Sequence, residues 1–419
     1  MVLAVLVWAA GRPIAAGAPT AVLAGFVRGV VLAKPKPGVS ASRLAATVAG
    51  QLAPATLTRL GIVKLRVRAG AEVAFAEQLS RSGLVDFASP DYLRHLAVTP
   101  NDPLYDSQWA LPKIEAPLAW QTTTGSTNVT VAVIDTGYDL SHPDRPVNLI
   151  AGPTYVSAPD PSCPPEGVNG PQDDQGHGTH VGGIVAAAFD DGIGVAGLAP
   201  GVTVLIVKAA DCTGNLADSD VATAITYATD AGARVINMSF GGPTYSDVLN
   251  QGVQYAWSRG VVLVAAAGNQ GSSAPFYPAW LPNVMAVSAT DQNDAIAWFS
   301  NVGPDIAVAA PGVDVLSTYP GGYQSLSGTS MAAPHVSAVA GLILSADGSF
   351  RNDQVVAAIE RGAIGMGPGC PNQTYGYGRL DAAAALGQAQ LMDATRSASV
   401  EQSLPFQIYL PLVRNRSCG

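Results

Sequence analysis

Charge is scarce in this sequence of 419 residues: 13% are Asp, Glu, Lys or Arg, against 48% hydrophobic. That balance excludes a disordered chain, which combines low hydrophobicity with high charge. The formal net charge of −9 argues against a nucleic-acid binder. No apolar run beyond the N-terminus reaches the roughly 20 residues that a bilayer-crossing helix needs. No internal repeat is visible, and the 45 glycines follow no collagen-like period. Cysteine is limited to Cys163, Cys212, Cys370 and Cys418. Such a small set suits an exported protein with one or two disulfides, and the sequence does not choose among the pairings.

What is there is unevenly spread. Residues 1–10 are apolar, and Ala16-Gly17-Ala18 offers a small-residue cleavage site. Residues 1–18 therefore resemble a signal peptide without its basic start, which implies a secreted, extracellular protein. From Val22 to Thr99 there are 10 Lys+Arg and 4 Asp+Glu, a net of +6; from Pro100 onward there are 11 and 27, a net of −16. A basic front piece and an acidic body attract each other, although ordinary compositional drift gives the same asymmetry.

The front piece, 22–96, reads as a small α+β unit. Strands are expected over 29–33, 62–67 and 85–88, and helices over 41–52 and 73–82. An independent binding module would read the same way. The polar stretch Thr99-Pro100-Asn101-Asp102-Pro103 is extended, exposed and easily cut, and the main boundary belongs there. Beyond it, apolar runs at 129–134, 202–207, 235–238, 261–265 and 284–287 alternate with helical patterns at 179–188, 219–231 and 246–259. This predicts an α/β fold, a parallel central sheet with helices on both faces. After about residue 390 a short tail follows, with an edge-strand-like stretch at 406–413.

Four segments can carry chemistry. Val131-Ala132-Val133-Ile134-Asp135-Thr136-Gly137 is a buried strand ending in a carboxylate. Backbone donors there can keep Asp135 ionised, able to orient an imidazole. In Gly176-His177-Gly178-Thr179-His180 the glycines permit close approach, and His177 at the mouth of an apolar helix suits a general base. His180 packs structurally in this reading; a metal site is the rival, but no clear third ligand is present. In Gly328-Thr329-Ser330-Met331-Ala332-Ala333-Pro334-His335 a loop enters a buried helix. Ser330 there suits a nucleophile whose own N–H faces the site, although Ser is also a common helix cap. Ala265-Ala266-Ala267-Gly268-Asn269 ends a strand with an amide able to donate to an oxyanion.

Each segment alone is ambiguous. Together, in the order Asp135, His177, Asn269, Ser330, they resemble the subtilisin-like serine proteases, over about residues 101–386. The resemblance implies peptide hydrolysis through an acyl-enzyme. Loss of the Asn269 donor would then cost roughly 3–4 kcal/mol, a magnitude known from subtilisin itself. It also implies that Gly214, Leu216, Ser239, Phe240, Gly241 and Gly268 line a groove where polypeptide substrate adds as a β-strand. The front unit, 19–98, becomes a propeptide acting as intramolecular inhibitor and folding aid. Residues 99–390 become the catalytic domain and 391–419 a tail.

Three finer expectations follow from the resemblance. One structural calcium ion is held by Gln108, Asp144 and the loop carrying Phe189, Asp191, Ile193 and Val195, with Asp190 an alternative to Asp191. Phe276, just before Tyr277-Pro278, sits at the floor of the pocket for the P1 side chain; its ring either fills that slot or turns into the core. Cys163 and Cys212 are expected to pair, since both lie in loops near the predicted cleft and the other two cysteines lie far along the chain. Two rivals stand beside the enzyme: a catalytically silent relative acting as a binding module, and a zinc peptidase.

Overall fold

The computed structural model describes residues 26–47, 51–52, 58–68, 71–92, 98–167 and 170–401. The signal-like segment 1–18 and the stretch 406–413 lie outside the described residues. The chain divides into two compact units, 1–95 and 96–419.

The first unit comprises β1 (Phe26–Pro35), α1 (Ala41–Thr47), β2 (Gln51–Leu52), β3 (Val63–Arg66), α2 (Glu72–Arg81) and β4 (Val85–Tyr92). Its strands form one antiparallel sheet in the order β2-β3-β1-β4. Along β3 the alternation works as the sequence suggests: Val63 and Leu65 are buried and Arg66 is exposed. Val31, Leu44, Leu65 and Leu79 meet in a small core of its own. The helix expected over 41–52 stops at Thr47, because Gln51 and Leu52 pair instead with Arg66 and Leu65 of β3.

The second unit begins with two short helices, α3 (Ala110–Lys113) and α4 (Ala116–Ala119). Then follow β5 (Thr130–Asp135), β6 (Leu149–Thr154), α5 (His177–Ala186), β7 (Thr203–Lys208), α6 (Asp218–Asp230), β8 (Ala233–Met238), α7 (Asp247–Ser258), β9 (Val262–Ala266) and β10 (Val284–Thr290). The chain continues through β11 (Ile306–Pro311), β12 (Val315–Tyr319), β13 (Gly322–Leu326), α8 (Thr329–Ala346), α9 (Asn352–Gly362) and α10 (Ala382–Glu401). Seven strands form a parallel sheet in the order β11-β10-β9-β8-β5-β7-β6. The expected strands and helices are all present, with ends shifted by a residue or a few. Strands β6 and β11 escape sequence reading. Both are sheet edges, where Pro153 and Pro311 are tolerated because one side of the strand needs no donor. The tail expected after residue 390 is also displaced, since α10 continues through Leu391 and Met392 to Glu401; Met392 packs on the core.

Successive strand residues point to opposite faces. Val131 and Val133 of β5 join a core covered by α5 and α8, while Ala132 and Ile134 join one covered by α6 and α7. Burial on both faces is why these strands read as continuous apolar runs. Among the described residues α8 alone is long and apolar enough to cross a membrane, yet 83% of it is buried inside the unit. It is the central helix of one layer.

The strand order positions the site. From β5 the chain builds β6 and β7 on one side, then returns to build β8 to β11 on the other. Connections therefore diverge around β5 and leave a crevice beyond the carboxyl ends of β5, β7 and β8. Those strands end at Asp135, Lys208 and Met238, and Ser239 follows directly.

Candidate active site

Asp135 is 3% exposed and closes β5. Its Oδ1 accepts the N–H of Thr136 at 2.8 Å and faces His177 Nδ1 at 2.8 Å. With the carboxylate ionised, Nδ1–H is the donor, which leaves Nε2 free to take a proton. Among the protein groups, Thr136 N–H and His177 are the partners of this carboxylate, so a charge forming on the imidazole faces it directly. His177 is the first residue of α5, and helix and turn meet closely because residue 178 is glycine. A Cβ there would lie 2.2 Å from Gly137 O and 3.1 Å from Asp135 Cβ.

Ser330 lies in the first turn of α8, so its N–H has no acceptor within the helix. Pro334 lacks the N–H that would have bonded Ser330 O. Ser239 Oγ supplies the missing donor at 2.8 Å, and Ser330 Oγ in turn donates to Ser239 O at 2.9 Å. The strand end after β8 and the start of α8 are thereby locked together. Asn269 is oriented through its oxygen: Oδ1 accepts from Thr329 N at 2.8 Å and Thr329 Oγ1 at 2.9 Å. Its Nδ2 is left as the donor, on the side of a Cβ placed at Gly328, 3.4 Å away.

Asp135, His177, Asn269 and Ser330 all line one open cleft of about 300 Å³. It holds a paired carboxylate and imidazole, a hydroxyl at a helix start and a free amide donor. That set can perform nucleophilic acyl transfer. The family profile described as "Subtilase family" matches residues 126–378, which contain all four. The chain belongs to the subtilase family.

Individual subtilases agree. Thermitase of Thermoactinomyces vulgaris is 46% identical over 267 residues, 63% of this chain and 91% of that protein. A thermophilic serine proteinase of Bacillus sp. (strain AK1) is 43% identical over 299 residues, 71% of this chain and 72% of that one. Among solved structures, a protease of Pseudoalteromonas arctica PAMC 21717 matches with a TM-score of 0.64 at 35% identity, covering 70% of this chain and all of that one. The chain is a subtilisin-like serine endopeptidase.

In this subtilase Gly214, Leu216, Ser239, Phe240, Gly241, Gly268 and Phe276 lie along the same cleft. The Phe276 ring stays at the cleft wall and is absent from both sheet cores. It is wedged between two glycine backbones: a Cβ at Gly241 would meet Cε1 at 2.5 Å, and one at Gly268 would meet Cγ at 2.9 Å. Cys163 and Cys212 are bonded, with Cα atoms 5.5 Å apart, which fastens the loop before α5 to the one after β7.

The expected calcium residues are only partly assembled. Asp144 is fully buried and its Oδ2 accepts Val195 N at 2.8 Å, but Oδ1 has no partner. Burial, joined by the charges of Asp191 and Asp102, pushes this carboxyl up to about 7. Gln108 is buried and its amide bonds the backbone of one residue, donating to Ala196 O at 2.9 Å and accepting from Ala196 N at 2.7 Å. Asp102 stands in the cluster, taking the N–H groups of Asp190 and Asp191. Asp190 adopts a left-handed backbone and turns its carboxylate to Asn101 N, so Asp191 is the acidic neighbour of Asp144. Phe189 packs its ring on Trp120, and Ile193 is exposed.

Sequence reading missed Asp173, Gln175 and Lys208. Gln175 lines the cleft. Asp173 takes five bonds, from Thr136 Oγ1, the N–H groups of Gln175, Gly176 and Thr179, and Thr179 Oγ1. The available signal was acidic residues immediately before Gly176-His177, and a lysine ending an apolar strand. His180 is buried, with Nε2 at 3.0 Å from Val315 O and 2.9 Å from Gln324 O. Burial pushes it down to about 4, so it stays neutral.

Burial lowers the pKa of His177, but the charge and hydrogen bond of Asp135 outweigh it and the net shift is upward. The pair thus favours the imidazolium. Its contribution to stability is complete below the ordinary histidine value of about 6.5 and fades as pH rises through the folded value. Catalysis needs the neutral form, so kcat/KM should fall on acidification with a midpoint above about 6.5. Asp135→Asn should move that midpoint down and cut kcat by about 10⁴-fold. A pH profile with an unmoved midpoint in the variant would refute the assignment.

Proposed function

We propose that the protein is a secreted endopeptidase made as a self-processing precursor, with Asp135, His177 and Ser330 as its triad. The observation that carries this is the 2.8 Å contact of His177 Nδ1 with Asp135, in the same cleft as Ser330 and Asn269. A rotation about the Ser330 Cα–Cβ bond redirects Oγ from Ser239 O to His177. His177 takes the proton as Oγ attacks the scissile carbonyl. The oxyanion is held by Asn269 Nδ2 and the Ser330 N–H, where the positive end of α8 also points. His177 then protonates the leaving amine, and water repeats the sequence on the acyl-enzyme. The peptide lies as an added strand between Gly214–Leu216 and Ser239–Gly241.

In this reading residues 1–18 direct export and 19–98 are the propeptide, an inhibitor and folding aid released by cleavage between residues 92 and 101. The disulfide and the basic-to-acidic asymmetry support it. A structural calcium ion belongs to this reading through Asp144, a buried carboxylate whose neighbours are Tyr323 and the charges of Asp191 and Asp102, oxygen groups of the hard kind this ion prefers. Among the described residues no three acidic groups stand close enough to hold the ion by themselves, so backbone oxygens of the 189–195 loop would complete the set. Ser330→Ala should abolish casein hydrolysis and leave the precursor uncut. Normal hydrolysis by that variant would end the proposal.

Millimolar calcium should raise the melting temperature and EDTA lower it, with Asp144→Asn insensitive to both. Equal melting temperatures for the native enzyme in the two conditions would exclude the ion. For specificity, Phe276 occupies the slot meant for a large P1 side chain, so small residues such as Ala should be preferred over Phe. Each unburied methylene forfeits about 0.8 kcal/mol. Phe276→Gly should raise kcat/KM on P1-Phe anilides relative to P1-Ala by about 10- to 200-fold. A native preference for Phe, unchanged in the variant, would show that this ring does not set the pocket.

A further inference from the structure

Lys208 ends β7, between two sheet neighbours, and is 1% exposed. Burying an ammonium costs several kcal/mol unless its charge and all its donors are met. Here they are met from two places. Nζ donates to the carbonyl of Thr136 at 2.9 Å and to Asp174 Oδ1 at 2.7 Å, and Glu166 Oε2 lies at 3.5 Å. Thr136 follows Asp135, which is the direct ladder partner of Lys208 in the sheet. Asp174 lies just ahead of His177, in the loop that feeds α5. The ammonium therefore joins the turn carrying the carboxylate to the loop carrying the imidazole.

We infer that Lys208 is a positioning residue for the reaction, holding the Asp135–His177 pair in register from behind the sheet. This rests on the reading of that pair as catalytic. The tie is reinforced at Thr136, whose Oγ1 donates to Asp173 and accepts from Gly178 N, each at 2.8 Å. It acts by geometry, because the charges that bear on His177 are those of Asp135 and Asp173, not Lys208. The groups facing the ammonium are Glu166 and Asp174, with Asp211 acting on Glu166. Without the ammonium, these carboxylates repel one another and Thr136 O loses its buried donor. The 173–176 loop and the Asp135 turn are then joined through Thr136 Oγ1 and the Asp135–His177 contact itself, and their spacing is less tightly set. The bland alternative is a charge-balanced strand end that serves stability alone.

The test uses the mature enzyme, with intact sites counted by a serine-directed covalent reagent. Lys208→Met should lower kcat by about 10- to 100-fold, as expected for a sub-ångström to ångström misplacement. KM should stay within about twofold, since Lys208 does not line the cleft. The acid midpoint of kcat/KM should move down as the pair loosens. The triple variant Lys208→Met, Glu166→Gln, Asp174→Asn removes the unpaired charges. It should recover melting temperature while kcat and the midpoint stay displaced. Asp174→Asn alone should give a smaller change of the same sign, and it decides the matter if the other variants do not fold. Native kcat and midpoint in the folded triple variant, or in Asp174→Asn, would overturn the inference. His177→Ala separates the two readings: activity there refutes the catalytic pair itself, whereas an inactive His177→Ala beside normal Lys208 variants refutes only the positioning role.

Discussion

His177 reaches Asp135 at 2.8 Å because the start of α5 lies against the turn that ends β5. That approach is possible only without a side chain at residue 178. The rest of the site is built around it. Thr136 bonds Asp135 with its N–H, Asp173 with its hydroxyl hydrogen and Gly178 through its hydroxyl oxygen. Asp173 then holds Gly176 and Thr179 on either side of His177. Each donor removed from this set would leave a buried polar group unpaired, at about 1–3 kcal/mol. The imidazole is thus fixed by backbone and buried acids, and its face toward the cleft remains free for chemistry.

Ser330 is placed by a complementary device. Pro334 interrupts the hydrogen bonding of α8 one turn past its start, which would normally weaken a helix. Here the freed Ser330 carbonyl is met by Ser239, and Ser239 O receives Ser330 Oγ. Two elements far apart in sequence, separated by 91 residues, are fastened at the wall of the cleft. A bond missing within the helix becomes a tie between helix and sheet.

Much of this was legible from residue patterns, for definable reasons. The inner strands β5, β7, β8, β9 and β10 are buried on both faces and give unbroken apolar runs. The edge strand β6 carries Gly152 and Pro153 and is half-exposed, so no apolar run marks it, whereas β11 has a short apolar run, Ile306 to Ala310, that ends at Pro311 and is not among the expected strands. The helix expected over 41–52 was lost to cross-strand pairing of Gln51 and Leu52, a non-local choice. That Gln108 bonds both backbone polar atoms of Ala196, 88 residues away, is likewise a product of the fold. Phe276 could have faced core or cleft by sequence; of the two glycine backbones that clamp it, Gly268 lies eight residues earlier and Gly241 thirty-five, and only the fold brings the second to the ring.

Residue identity by itself determined the chemical inventory: a carboxylate at a strand end, an imidazole and a hydroxyl at helix starts, and an amide after a strand. It also determined the alternation of apolar strands and helices that makes a parallel sheet. These are properties of short segments, set by burial and backbone preference within a few residues. Tertiary structure alone decided which of those groups meet. The divergence of connections around β5 brings strand ends from three parts of the chain to one crevice. The same convergence buries Lys208 among Thr136, Asp174 and Glu166, and leaves Asp144 Oδ1 without a partner. Those outcomes depend on distances between segments remote in sequence, and hydrogen bonds and ion pairs are sensitive to fractions of an ångström that no local pattern encodes.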